Sequence, residues 1–151
     1  MKAYASTLAA LGLEAQEKRS RYRARRERTG PGTLVEVHDD SVPFSSVERV
    51  ANRLGVESGE LLKVIGIAGR TAIRRKAQGY LRAEEADRLL RVARVLEEAS
   101  RVFGTAEKAA TWLRTAHPLL GDWAPYRLLD SDAGAKAVSD ELVRIDFGDF
   151  A

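Results

Sequence analysis

Few side chains in this 151-residue sequence could do covalent chemistry. There is no cysteine, so thiolate nucleophiles, disulfides and thiolate zinc sites are excluded. The two histidines are His38 and His117; the second precedes a proline in a turn-rich stretch, where a local hydrogen-bonding role is expected. The acidic pairs Glu84/Glu85 and Glu97/Glu98 are neighbours in helix-forming segments and so diverge rather than meet. Glu84 with Arg88 and Glu97 with Arg101 instead fall at i,i+4, the spacing of surface ion pairs. No Ser/His/Asp set, phosphate-binding loop or metal cluster has usable spacing. The expectation is a protein with no catalytic residue, no metal, no cofactor and no small-molecule substrate.

What remains is electrostatic. The net charge of +3 conceals a division: residues 41–82 carry 8 basic and 3 acidic side chains, residues 83–151 carry 9 and 13. A basic block beside an acidic one suggests a nucleic-acid face on one module and a different partner on the other. Within the basic block, Arg70, Thr71, Arg74, Arg75, Lys76 and Gln78 crowd into nine residues. Arg70, Thr71 and Arg74 are placed for base edges, and Arg75, Lys76 and Gln78 for the DNA backbone. Further upstream, Lys18 to Arg28 holds seven cations and one anion. That run is either an arm that tracks phosphates or a solvated segment.

The elements that must position these residues are helical. Tyr4, Leu8 and Leu11 suggest a short amphipathic helix over 3–12; Gly30-Pro31-Gly32 breaks the chain, and Leu34 to Val37 reads as extended. Ser45 and Glu48 form a capping-box pattern ahead of Val47, Val50, Ala51 and Leu54, with Gly55 as the stop. Ser58 is placed to cap a second helix, and a third spans about 69–78, docked through Ala72, Ile73 and Ala77 and ended by Gly79. Two short helices joined by the tight Gly66-Ile67 turn, the second rich in arginine, have helix-turn-helix proportions.

The longest element is predicted over Ala83 to Phe103. It carries two apolar stripes, one through Ala86, Leu89, Leu90, Ala93 and Leu96, the other through Val92, Val95, Ala99 and Val102. A helix apolar on two sides must be covered on two sides. Leu89, Val92, Val95 and Leu96 are therefore candidate homodimer contacts. Thr105 caps the next helix, and a last one spans about 131–145 before the tail Asp146-Phe147-Gly148-Asp149-Phe150-Ala151. The fold class is all-α, divided into an N-terminal extension (1–44), a helix-turn-helix module (45–82) and a C-terminal helical module (83–151). The N-terminal stretch makes a poor signal peptide and no segment approaches a membrane span, so a cytoplasmic protein is expected.

Several pieces over 45–151 occur in an order and spacing that resemble one family. They are AEEADRLLRVARV (Ala83–Val95), VFG (Val102–Gly104), the alanine, tryptophan and leucine of Ala109–Leu113, the Pro/Leu/Gly pattern of Pro118–Leu129, and Ile145 with Gly148. Together they resemble the Xre/MbcA/ParS antitoxins. Where that family commonly has Pro-Asn-Pro and then Gly-Gly, this chain has Ala116-His117-Pro118 and Gly121-Asp122.

The resemblance implies a partner toxin of the RES-domain class, which consumes NAD or uses it to modify a target. It also implies a homodimer and repression of the chain's own operon by binding operator DNA. The toxin contact it implies is Arg144, Ile145, Asp146, Phe147, Gly148, Asp149 and Phe150. Two phenylalanines and two aspartates there offer apolar anchors and anions suited to a dinucleotide cleft. A terminus whose phenylalanines fold back on their own core is the other reading of the same residues. A dimeric helix-turn-helix regulator with no toxin partner is the alternative function.

Overall fold

A computed structural model describes residues 42–148. The readings over 3–12, Lys18–Arg28 and Leu34–Val37, and the tail residues Asp149 and Phe150, lie outside them. Six α-helices and two 3-10 segments follow one another: α1 (Ser45–Leu54), α2 (Ser58–Val64), α3 (Arg70–Gln78), α4 (Ala83–Phe103), α5 (Ala106–Arg114), η1 (Pro118–Leu120), η2 (Pro125–Asp130) and α6 (Asp132–Asp146). The only extended pairings among the described residues are two isolated bridges, Pro43 with Tyr80 and His117 with Trp123. The expected all-α class holds.

The glycine stops act as their positions require. Gly55, Gly79 and Gly104 each close a helix in the left-handed conformation that a side chain would strain. Two expected caps do not form. Phe44, buried and in helical conformation, precedes α1, so Ser45 is already inside the helix and the Ser45/Glu48 box is not made. The first turn is instead closed by backbone bonds to the carbonyls of Pro43 and Phe44. Likewise Glu57, not Ser58, precedes α2. Thr105 does cap α5, accepting from the Lys108 N–H at 3.2 Å, and Ser131 caps α6 through the Gly134 N–H at 3.1 Å.

Helix α4 is the axis of the fold, 21 residues and about 32 Å long. Helices α1, α5 and α6 and the η2 segment all pack on it. They cover both apolar stripes within a single chain, which corrects one expectation. Leu89, Val92, Val95 and Leu96 are 1%, 1%, 4% and 0% exposed, in one continuous core with Leu54, Leu61, Leu113, Leu129 and Leu142. These four residues face the protomer's own helices and offer nothing to a second copy.

Two close approaches fix the C-terminal end. At Gly134 in the first turn of α6, an added Cβ would lie 1.9 Å from the Leu128 carbonyl oxygen, so the helix meets η2 backbone to backbone. In the loop between η1 and η2, Gly121 (φ 68°) and Asp122 (φ 60°) are both left-handed. Asp122 thus stands in the left-handed region, which glycine favours, at the place where the resembled family commonly has a second glycine, and aspartate tolerates that conformation better than most residues. The departure at this loop changes the residue and keeps a glycine-like turn.

Candidate functional site

Helix α3 is short and rich in cations, and its inward side is not the expected one. Arg75 points into the protein, 2% exposed, with its Nε donating to Glu85 of α4 at 2.7 and 3.0 Å and Nη1 donating to Gln78 at 2.8 Å. Ile73 is 73% exposed, and Ala77 is exposed as well; only Ala72 of the expected docking trio is partly buried against the core. Arg75 is an internal strut and not a surface cation, and Ile73 and Ala77 belong to the outer face. With about 100° between successive residues, Arg75 and Ile73 lie on nearly opposite sides of the helix.

The outer face of α3 therefore has Ile73 and Ala77 at its centre one turn apart, Arg70 and Arg74 along one flank and Lys76 along the other, all exposed. Thr71 is partly buried toward the inner side, and Gln78 is exposed while accepting from Arg75.

Polar links hold this helix in place. Phe44 N–H donates to Gly79 O at 3.0 Å and Leu81 N–H to Val42 O at 2.9 Å, clasping the chain on either side of α3. Glu85 also accepts from the Arg82 N–H at 2.8 Å, so one carboxylate both caps α4 and anchors α3. Burial opposes its charge, but the Arg75 guanidinium and the Arg82 N–H outweigh that and hold its pKa below the ordinary carboxylate value.

The second region is the end of α6. Phe147 is 82% exposed and Val143, one turn earlier, is 46% exposed, so the helix ends in an apolar ridge open to solvent. Phe147 does not return to its own core. Asp146 and Gly148 are exposed beside it, and Ile145 is partly buried. Arg144 is pinned back on Glu141 at 2.7 and 2.9 Å. That pairing, aided by the charges of Arg144 and nearby His117 against the cost of burial, lowers the Glu141 pKa.

His117 Nε2 lies 3.6 Å from Glu141. Its ring sits 5.6 Å from that of Trp112, which in turn lies 5.5 Å from Phe103. This chain of rings ties the loop after α5 to α5 itself and to the end of α4, and the approach to Glu141 ties it to α6. The hydrogen bonding expected of His117 comes from its backbone, whose N–H donates to the Trp123 carbonyl at 3.1 Å, while its buried Nδ1 has no hydrogen-bond partner; Trp123 stays half-exposed. The i,i+4 pairs do not form: Arg88 donates to Ile65 O at 3.3 Å, and Glu97 is partly buried, which raises its pKa.

Residues 33–94 match the family model for the antitoxin Xre-like helix-turn-helix domain, and residues 98–148 that for the antitoxin Xre/MbcA/ParS C-terminal toxin-binding domain. Antitoxin Xre of Photorhabdus laumondii is 31% identical over 117 residues, which span 76% of this chain and 79% of that protein. The chain belongs to the Xre/MbcA/ParS antitoxin family. Antitoxin Xre of Yersinia enterocolitica is 35% identical over 98 residues, 64% of this chain and 66% of that one. A Sphingobium protein named Prs ADP-ribosylating antitoxin is 28% identical over 134 residues, 82% of this chain and 84% of that one.

As an Xre/MbcA/ParS antitoxin, the chain is one half of a toxin–antitoxin pair. The helix-turn-helix match contains α1, α2, α3 and most of α4, and the toxin-binding match runs from the last turn of α4 to Gly148. The two exposed regions thus fall in different matched domains: the cationic face of α3 in the first, the Val143/Phe147 ridge in the second. No helix among the described residues is long and apolar enough to cross a membrane.

Proposed function

We propose that this antitoxin binds operator DNA through α3 to repress its own operon, and neutralises a RES-domain, NAD-consuming toxin with the end of α6. The segment Arg144 to Phe150 enters the toxin's active-site cleft and blocks it, and the antitoxin contributes no chemistry of its own. The observation that carries the toxin half is Phe147, fully presented at the end of the toxin-binding domain. An exposed aromatic next to anions suits a pocket that otherwise holds an anionic, ring-bearing dinucleotide. The name of the Sphingobium relative ties that protein to ADP-ribosylation, and ADP-ribosyl groups come from NAD, which supports a toxin of that chemistry.

The DNA half rests on the helix-turn-helix match and on the exposed Arg70, Arg74 and Lys76 of α3. Two protomers would bring two such helices to half-sites about 34 Å apart on an inverted repeat. Their contact lies outside Leu89, Val92, Val95 and Leu96, which are already committed.

A chain ending at Asp146 tests the reading. It keeps all of α6 and the Glu141–Arg144 pair, so it folds as before. We expect it to bind the toxin of the adjacent reading frame at least about 30-fold more weakly and to fail to protect growing cells. DNA affinity should stay unchanged. Full protection by the shortened chain would remove the tail from the mechanism.

A further inference from the structure

The centre of the outer face of α3 is apolar, which a purely phosphate-holding helix has no use for. Ile73 is the most exposed aliphatic side chain among the described large hydrophobic residues, and Ala77 lies one turn on. Single exposed apolar residues are ordinary on protein surfaces. This one is placed differently: it sits on the midline of a helix flanked by Arg70 and Arg74 on one side and Lys76 on the other. Long cations on both flanks reach the two phosphate walls of a groove, and whatever lies between them meets the base edges. Isoleucine can neither donate nor accept a hydrogen bond, so on the groove floor its only favourable partner is apolar. The major groove offers one apolar group, the C5-methyl of thymine.

We propose that Ile73, with Ala77 beside it, reads thymine by methyl contact in the major groove and so sets part of the operator sequence. The inference rests on the reading of α3 as the DNA-binding helix and adds what that helix recognises. The flanking cations favour a polyanion over a second apolar protein surface as the occupant of this face. The specificity device is then a dry contact between two apolar groups, bracketed by charge, with Arg75 turned inward to hold the helix at its working angle.

The test uses the full chain and a duplex selected by it from random-sequence DNA. Each thymine is replaced in turn by deoxyuridine, which differs only by that methyl. Wild type should lose about three- to tenfold in affinity at one or two positions per half-site and nothing at the others. Ile73→Ala should bind the selected duplex more weakly and be indifferent to uracil at those positions, with an unchanged melting temperature because the side chain is exposed. Arg74→Ala should bind more weakly yet keep the uracil sensitivity. A selected duplex bound equally well with and without its methyls, or an Ile73→Ala protein that still senses uracil, overturns the assignment while leaving DNA binding intact. If no duplex is enriched at all, the DNA reading falls and the thymine assignment falls with it.

Discussion

Replacing Gly134 with alanine should destabilise the protein by about 3 kcal/mol or more, the upper range for forcing a methyl into occupied space. The added Cβ would meet the Leu128 carbonyl oxygen at 1.9 Å, its carbon at 2.8 Å and the Leu128 Cβ at 3.1 Å. Two of those three atoms are backbone, so no rotamer change relieves the clash; α6 or η2 must move as a body. Because α6 carries Val138 and Leu142 into the core and Phe147 to the surface, the displacement should also weaken toxin binding. Urea denaturation reads the first effect as a lowered midpoint. An unfolding free energy within about 0.5 kcal/mol of wild type would mean that the two segments do not approach as described. Alanine is ordinarily the better helix former, so the sign of the change is itself diagnostic.

The second large effect is expected at Arg75. Arg75→Met leaves the Glu85 carboxylate buried without its guanidinium, and truncating one member of a buried pair is costly. The melting temperature should fall by about 10 °C, and DNA binding should weaken because α3 loses its strut although no groove-facing side chain has changed. Adding Glu85→Gln removes the orphaned charge and can still accept from the Arg82 N–H, so the double variant should recover much of the loss.

The pH profile gives an independent check. Glu85 has a lowered pKa in the folded state, so its contribution to stability is complete above the unfolded value of about 4.3 and is lost as pH falls through the folded value. Glu141 adds a component of the same sign through Arg144. The wild-type protein should therefore weaken on the acid side, and the Arg75→Met/Glu85→Gln protein less steeply. Identical acid limbs would place the pair outside the stability of the fold.

Much of the architecture was legible because its signals are local. The bounds of α4, Ala83–Phe103, follow from a sustained apolar period and a closing glycine, and the Thr105 cap from its hydroxyl and position. What could not be read depended on partners far along the chain. Nine residues of α3 hold too few apolar side chains to define a stripe. In the sequence an inward Ala72/Ile73/Ala77 face is therefore as consistent as the true one, which is built on a charge whose partner stands ten residues away across a turn. A sequence search for an acidic residue at the start of the next helix could have raised Glu85 as that partner.

The double stripe of α4 does need cover on two sides, and both stripes lie in the core. The number of elements available to supply that cover is a property of the whole packing, and the chain's own α1, α5 and α6 suffice. The Ser45/Glu48 pattern failed for another distant reason. Phe44 is drawn into the core and starts the helix one residue early, leaving Ser45 no cap to make.

The proposed function gives each of two partners its own surface on one continuous core. Hydrogen–deuterium exchange of the full-length antitoxin, free and saturated with its toxin, tests that directly. New protection is expected across Val143–Gly148 and the neighbouring η1 loop, with the amides of α3 exchanging as in the free protein. Protection concentrated on Arg70–Gln78, with the end of α6 unchanged, would contradict it.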